Sequence, residues 1–133
     1  MNIRCGTDII EVRRIEKSLE SVAGFAKKVF TDGEIAYCDK KKAGRYESYA
    51  ARFAAKEAFL KAIGIGMYAG AAFNEIEVEN DAETGAPTLV LHGGAMEQYV
   101  KSGCRSMSVS LSHTAETAVA TVVMLCEDSK IGS

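Results

Sequence analysis

The sequence predicts an α+β fold in which a mainly antiparallel sheet packs against one long helix, in the element order βαααββαββ. Three observations support this prediction. They are an alanine-rich helical stretch near the middle of the chain, two short segments joined by a turn after it, and two adjacent strand-like segments near the end. Because the helices are grouped apart from the hairpins, an α+β arrangement fits better than alternating β and α units.

The first strand and the first helix are predicted from a change in the spacing of apolar residues. Residues 2–10 are rich in β-branched side chains and predict a strand that ends near Asp8. Apolar residues then recur at helical spacing as Val12, Ile15 and Leu19. This stripe predicts an amphipathic helix that carries basic residues on its other faces.

Further helices are predicted before the middle of the chain, beginning with a short helical piece around residues 25–30. Thr31 and Glu34 have the spacing of a capping box, in which each side chain bonds the backbone amide of the other residue. A helix should therefore begin there. The longest helix signal runs from about residue 45 to residue 63 and stops at Gly64, since glycine suits the left-handed position after a helix end.

The second half of the chain predicts two hairpins with a short helix between them. Its first segment alternates apolar and acidic side chains, and the turn sequence Thr-Gly-Ala-Pro separates it from the next strand. The last strand is nearly continuously apolar, as expected for a buried strand. The predicted elements are strands at 73–80 and 88–92, a helix at 94–102, and strands at 105–113 and 117–126.

Length and composition fit one globular domain. The chain has 133 residues, of which 47% are hydrophobic and 26% charged, and four scattered cysteines to which we assign no chemistry. The N-terminal segment is too polar for a signal peptide, and no apolar run approaches the roughly 18 residues that span a bilayer. We therefore expect a cytoplasmic protein without a membrane segment, with one domain over 1–126 and a flexible C-terminal tail over 127–133.

Charge is distributed unevenly along the chain. Residues 1–61 contain 13 Lys and Arg against 9 Asp and Glu, whereas residues 62–133 contain 3 against 9, so the net charges are +4 and −6. Such a division suggests a basic face for an anionic ligand or partner, although ordinary solvated charges would give the same count. The sequence pI of about 5.7 argues against a general nucleic-acid binder.

One group of charged residues on the longest helix is suited to binding phosphates. Glu57 and Lys61 are four residues apart, a spacing that most often forms a weak surface ion pair. Arg52 and Lys56 share the helix, which leads directly into a glycine-rich turn starting at Gly64. Cations beside exposed loop amides are what a pyrophosphate ligand requires.

Asp8 and His113 are further candidates outside that helix. If Asp8 meets Glu57, the two carboxylates would be able to hold one Mg²⁺, although Asp8 is equally suited to a turn or helix cap. His113 lies between two strands and is either a phosphate ligand or a solvated turn residue. The chain lacks zinc-ligand spacing, a GxSxG motif and a complete Walker loop, so these three kinds of site are excluded.

Four separated segments resemble the holo-(acyl-carrier-protein) synthase family, the small bacterial 4′-phosphopantetheinyl transferases. They are GTDIIEVRRIE, FAKKVFTDGE, ARFAAKEAFLKAIGIG and VSLSHT, and the resemblance extends from about Ile3 to Leu125 in the family's order. It implies a reaction in which coenzyme A donates its 4′-phosphopantetheine arm to a serine of apo acyl carrier protein. Adenosine 3′,5′-bisphosphate is released, and the product supports fatty acid biosynthesis.

The resemblance also implies roles for individual residues. Asp8 and Glu57 would bind Mg²⁺, Lys61 would contact the phosphates, and these three would carry catalysis. Glu57 is a candidate general base, acting directly or through a metal-bound water. The positions expected to surround the phosphates and adenosine of coenzyme A are Arg52, Lys61, Gly64, Ile65, Gly66 and His113, with His113 reaching in from a neighbouring subunit.

Partners follow from the same resemblance. The family typically forms a homotrimer with sites between subunits, and acyl carrier proteins are strongly acidic. The basic residues expected to dock the carrier are Arg13, Arg14, Lys17, Lys27 and Lys28. Two other functions are considered: a non-catalytic module that binds coenzyme A or a nucleotide, and, more weakly, an RNA-associated protein. Asp8 argues against the first, because a pure phosphate binder gains nothing from two carboxylates without a metal between them.

Overall fold

The computed structural model describes residues 1–64 and 72–127. Within them, the elements are β1 (Asn2–Glu11), α1 (Val12–Ser21), α2 (Phe25–Val29), α3 (Asp32–Asp39), α4 (Arg45–Ile63), β2 (Ile76–Asn80), β3 (Pro87–Leu91), α5 (Gly93–Lys101), β4 (Cys104–His113) and β5 (Thr117–Cys126). Their order follows the prediction, with one more helix before the hairpin because α2 forms an element of its own. No helix in these two ranges has the length and apolar character needed to cross a membrane.

Helix α3 begins, and helix α4 begins and ends, where the sequence predicted. Thr31 Oγ1 accepts a hydrogen bond from Glu34 N at 3.1 Å, and Thr31 N donates to Glu34 Oε1 at 3.0 Å, so the capping box is present. Gly64 follows α4 with a φ of +79°, the left-handed conformation that ends the helix.

The first strand is longer than predicted. β1 continues to Glu11 instead of ending near Asp8, because it pairs with β5 as far as Thr117. Ladder hydrogen bonds to a neighbouring strand, which local composition does not reveal, therefore set its end. Asp8 lies within the strand, opposite Ala120.

The main sheet is antiparallel and has three strands in the order β1-β5-β4, while β2 and β3 form a separate hairpin. Helix α4 packs across one face of the main sheet. The alternate residues of β5 on that face are buried: Ala118, Ala120, Val122, Met124 and Cys126. The opposite face, called here the outer face, is apolar but partly open, with Ile3, Ile9 and Val123 exposed by 71%, 68% and 41%. The last strand is therefore buried on one face and not on both.

Gly6 brings β1 into direct contact with α4. A Cβ atom at this position would lie 2.2 Å from the carbonyl oxygen of Ala58 and 2.6 Å from the amide nitrogen of Ala62, so the space admits only glycine. The small side chains of α4 allow the backbones of helix and strand to approach closely. This contact holds Asp8, two residues further along β1, beside the second half of α4.

A fully buried ion pair joins α3, α4 and β2. Lys56 Nζ donates to Glu34 Oε1 at 2.7 Å and to the carbonyl oxygens of Phe73 and Ile76 at 3.0 and 2.5 Å. The other carboxylate oxygen of Glu34 accepts from Val78 N at 2.9 Å, and both charged side chains are 0% exposed. Burial lowers the pKa of Lys56, and the adjacent Glu34 opposes this shift. Several hydrogen bonds thus compensate each buried charge.

Candidate functional site

Asp8 and Lys61 meet where β1 crosses α4. Asp8 Oδ1 lies 3.1 Å from Lys61 Nζ, which also donates to the carbonyl oxygen of Thr7 at 3.0 Å. The Asp8 side chain is 16% exposed and that of Lys61 is 55% exposed. The lysine is therefore fixed by β1 yet remains open to a ligand, and its direct ion-pair partner is Asp8, which is distant in sequence.

Glu57 completes this group, since it is near enough to Asp8 for the two negative charges to interact. Burial raises the pKa of Glu57 and the negative charge of Asp8 raises it further, whereas Lys61 and Arg14 lower it. Two carboxylates and two cations are thus within electrostatic range of one another, and Asp8 and Lys61 are in direct contact. The structure therefore joins the three residues predicted to carry catalysis, Asp8, Glu57 and Lys61, into one carboxylate cluster.

The donor set of the carboxylate cluster fits a hard divalent cation. Two carboxylates that repel each other are stabilised by a cation between them, and Mg²⁺ is usually held by one or two protein carboxylates together with phosphate oxygens and water. Across residues 1–64 and 72–127, no three His, Cys, Asp or Glu side chains form a group able to hold a metal. The described residues thus offer Asp8 and Glu57 as ligands without a closed protein cage.

The other predictions on α4 and the turn after it have different outcomes. Lys56, which the sequence grouped with the phosphate-facing cations, is enclosed with Glu34 in the core, so that expectation is wrong. A single step along the helix rotates Lys56 away from the neighbouring Glu57. Gly64 is exposed at the helix end, as a loop amide for phosphates would be. Ile65 and Gly66 lie outside the described residues.

A second group of residues lines a cleft of about 270 Å³ on the other side of α4. We call it the arginine cleft. His113 Nδ1 lies there 3.2 Å from Glu47 Oε2. Arg52 and His113, both predicted to contact coenzyme A, therefore belong to one cleft of one chain. The residues lining it are Tyr37, Lys41, Gly44, Glu47, Ser48, Ala51, Arg52, Asn80, Leu111 and His113.

The guanidinium of Arg52 is held in a fixed orientation. It lies 4.2 Å from the centre of the Tyr37 ring, and Nη1 donates to Ser48 Oγ at 3.0 Å while Nη2 donates to Asn80 Oδ1. Its buried Nε atom has no hydrogen-bond partner among the residues that the structure describes. A buried cation with a free donor is suited to an anionic ligand.

Sequence reasoning missed several residues of the arginine cleft. Tyr37 comes from α3 and Asn80 from the end of β2, and both reach Arg52 only through the tertiary fold. No spacing in the sequence connects these positions with α4. Tyr37 and Lys41 do have helical spacing, and Lys41 Nζ lies 4.8 Å from the Tyr37 ring centre, which is the one local signal for this wall of the cleft.

The carboxylate cluster and the arginine cleft lie at opposite edges of the main sheet. The cluster uses Asp8 of β1 and the cleft uses His113 of β4, and β5 separates these two strands. Glu57 and Arg52 are five residues apart on α4, so they point about 140° apart around the helix. One chain thus presents its two predicted groups in different directions.

The basic residues predicted to dock a partner are exposed. Arg13, Arg14 and Lys17 are exposed on α1, whose Val12 and Ile15 face the core. In the segment that follows α1, Lys28 is also exposed, and Lys27 is exposed with its Nζ 3.5 Å from Asp32 Oδ1. Arg14 also lowers the pKa of Glu57, so the basic face of α1 is within electrostatic range of the carboxylate cluster.

Comparisons with known proteins agree on one family. Residues 4–122 match the 4′-phosphopantetheinyl transferase superfamily. A holo-(acyl-carrier-protein) synthase of Ruminiclostridium cellulolyticum is 51% identical over 130 residues, covering 97% of this chain and 96% of that protein.

Solved structures extend this agreement to the fold. A holo-(acyl-carrier-protein) synthase of Bacillus anthracis in complex with CoA (3′,5′-ADP) is 37% identical with a TM-score of 0.74, covering 91% of this chain and 94% of that one. The Helicobacter pylori holo-(acyl-carrier-protein) synthase in complex with coenzyme A is 31% identical with a TM-score of 0.78, covering 91% and 99%. The chain therefore belongs to the 4′-phosphopantetheinyl transferase superfamily, in its holo-(acyl-carrier-protein) synthase branch.

Proposed function

We propose that this protein transfers 4′-phosphopantetheine from coenzyme A to a serine of apo acyl carrier protein, using Mg²⁺ held by Asp8 and Glu57. The observation that carries the proposal is the pair of interacting carboxylates, Asp8 and Glu57, with Lys61 in contact with Asp8. Relatives of this branch are named for this reaction, and two of the similar structures contain coenzyme A. In the reaction, the serine oxygen forms a new bond to phosphorus while adenosine 3′,5′-bisphosphate leaves.

The residues of the carboxylate cluster have separate tasks. Mg²⁺, when bound, supplies positive charge that offsets the charge of the transferred phosphoryl group. Lys61 adds a fixed positive charge to the phosphates, since Asp8 and the carbonyl oxygen of Thr7 hold its ammonium in place. Glu57 is the candidate acceptor of the serine proton, and its raised pKa favours that task over an ordinary carboxylate.

A complete site uses the carboxylate cluster of one subunit and the arginine cleft of a neighbour in a homotrimer. The two groups lie at opposite edges of the main sheet, which favours a ligand that bridges two subunits. The apolar outer face supports the assembly, because Ile3, Ile9 and Val123 expose surface that a subunit contact would cover. Arg52 and His113 then contact the phosphates and adenosine together.

Helix α1 is the docking surface for the carrier in this proposal. Its exposed cations complement an acidic partner, and Arg14 places this surface next to the carboxylate cluster. Cytoplasmic action of one domain over residues 1–126 is part of the same proposal. All four cysteines are free thiols, which suits a reducing compartment, and one continuous core runs from Ile10 to Cys126.

Mass spectrometry of the carrier tests the reaction. Incubation of the protein with coenzyme A, Mg²⁺ and apo acyl carrier protein should add one phosphopantetheine mass to the carrier. Asp8→Ala and Glu57→Ala should each lose most of this transfer while keeping the circular-dichroism spectrum of the parent. Binding of coenzyme A without any mass added to the carrier would instead identify a non-catalytic coenzyme A module.

A further inference from the structure

Two buried thiols face each other at the end of the β4–β5 ladder, far from the proposed site. Cys104 pairs with Cys126 in the register, and they are 7% and 1% exposed. A shift in register between Cys104 and Ser106 keeps both side chains on the face covered by α4. Asp8 lies opposite Ala120, six residues before Cys126 along β5, so this pair is separate from the carboxylate cluster.

The ladder places the two cysteines directly opposite each other. Glu127 N donates to the carbonyl oxygen of Gly103 at 2.8 Å, so the two backbones stay together just beyond the pair. Directly opposite residues of an antiparallel ladder have Cα atoms about 4.5–5.5 Å apart. A disulfide bond needs Cα atoms roughly 4.4–6.8 Å apart, so the backbone already meets this requirement.

Sulfur atoms surround this position. Cys104 Sγ donates a hydrogen bond to Met124 Sδ at 3.8 Å. Burial raises the pKa of Cys104 to about 12, with a further contribution from its hydrogen bond to Cys126. Cys104 in the folded protein is therefore protonated at neutral pH, so its thiolate becomes available for exchange in alkaline solution or when the chain opens.

We propose that Cys104 and Cys126 form a redox-modification site that oxidises to one intrachain disulfide in exchange with a small disulfide such as oxidised glutathione. Deprotonated Cys104 sulfur attacks one glutathione sulfur, the glutathione S–S bond breaks, and one glutathione thiolate leaves. Cys126 sulfur then attacks Cys104 sulfur in the mixed disulfide and releases the second glutathione. Two protein thiols lose two electrons, the glutathione disulfide gains them, and each released thiolate takes one proton.

The disulfide would tie the edge strand β4 to the central strand β5 at their open end. The His113–Thr117 connection already closes the other end of this hairpin. A second closure restrains the unfolded chain and should raise the melting temperature without altering the carboxylate cluster. The other two cysteines lack this arrangement: Cys5 is exposed on β1, and buried Cys38 donates to Ser48 Oγ at 3.3 Å.

Equilibration with oxidised glutathione tests this proposal. The double variant Cys5→Ser/Cys38→Ser keeps only the proposed pair, and adding Cys126→Ser removes it. After refolding from urea in mildly alkaline oxidised glutathione, the double variant should lose the mass of two hydrogen atoms and yield a linked peptide. Its melting temperature should rise by on the order of 5 °C, reversibly with dithiothreitol.

Wild-type protein, treated in the same way and digested after alkylation, checks that the serine substitutions have not created the result. A Cys104–Cys126 linked peptide is expected there too. Refolding of the double variant to its native spectrum with both thiols still open to alkylation would overturn the proposal. So would linkage of Cys104 to Cys5 in the wild-type protein, since the ladder places those residues on different faces.

Discussion

Gly6 packs against the backbone of Ala58, the residue that follows Glu57 on α4. A Cβ atom at Gly6 would lie 2.2 Å from the Ala58 carbonyl oxygen. The Cβ atom would belong to strand β1 and the carbonyl oxygen belongs to the backbone of helix α4, so neither moves aside easily. The separation between Asp8 and Glu57 therefore depends on a residue that carries no functional group.

Gly6→Ala should separate β1 from α4 and weaken both the fold and the transfer reaction. Overpacking at such a contact costs roughly 1–3 kcal/mol of the free energy of unfolding, measured by urea titration. Transfer at limiting Mg²⁺ should fall more than tenfold. Gly44→Ala is the matched control for the free energy of unfolding alone, because nothing lies within 4 Å of a Cβ atom there, although Gly44 lines the arginine cleft. Equal losses of stability in the two variants would contradict this interpretation.

Glu57→Gln should change how stability depends on pH. The folded-state pKa of Glu57 is raised above its usual value of 4.5. When the pH rises above 4.5, Glu57 therefore loses its proton in the unfolded chain while it still keeps the proton in the folded protein. The free energy of unfolding of the parent should therefore decrease with pH between the unfolded and the folded pKa of Glu57, and that of the variant should not. Urea titrations between about pH 4 and pH 7 with a chelator present measure the difference, which should grow in favour of Glu57→Gln as the pH rises.

Lys61→Ala should lower the rate of transfer much more than stability. Removing a fixed charge that stabilises the transition state costs on the order of 2–4 kcal/mol, whereas an ion pair with a 55% exposed lysine contributes less than about 1 kcal/mol to folding. Transfer rates and urea titrations on the same purified variant provide both values. A rate loss no larger than the loss of stability would assign Lys61 to the surface ion pair alone.

Mixing inactive subunits should show which residues share a subunit. Asp8→Ala subunits mixed with either His113→Ala or Arg52→Ala subunits should regain about a quarter of wild-type activity, the fraction of intact interfaces after random exchange. Arg52→Ala mixed with His113→Ala should regain none, since both residues line the arginine cleft. Recovery in this last mixture, with subunit exchange demonstrated, would place Arg52 and His113 in different parts of the site.

Lys17→Glu and Arg14→Glu should differ in their kinetic effects. Lys17→Glu should raise the KM for acyl carrier protein, most strongly at low ionic strength, and leave the KM for coenzyme A unchanged. Arg14→Glu should also shift the pH profile of kcat to higher pH, measured at several pH values, because the lost cation no longer lowers the pKa of Glu57. Steady-state kinetics at two salt concentrations distinguish them. Identical profiles would show that both residues serve docking alone.

The local sequence was sufficient to predict the ends of those elements whose ends are determined by their own residues. The capping box at Thr31 and the glycine at position 64 fixed helix ends that the structure confirms. The end of β1 was predicted too early because pairing with β5 sets it. Composition describes one segment at a time and does not include the partner strand.

The same limit applies to the candidate site. Glu57 and Lys61 were identified from helical spacing, and Asp8 from a carboxylate in an apolar segment, but the 3.1 Å contact between Asp8 and Lys61 depends on the approach that Gly6 allows. Lys56 and Glu57 are neighbours with similar local sequence, yet one is enclosed in the core and the other interacts with Asp8. Only the packing of α3 and β2 on α4 distinguishes them.

The enclosed lysine also has a mechanical consequence for its neighbour. Lys56 Nζ is fixed to three oxygen atoms that belong to Glu34, Phe73 and Ile76, so α4 cannot turn about its own axis without breaking all three bonds. Each residue advances the helix by about 100°, and the orientation of Lys56 therefore sets the angle at which Glu57 leaves the helix. The buried Lys56–Glu34 pair therefore holds α4 at one rotation and, through it, keeps the Glu57 side chain directed toward the carboxylate cluster.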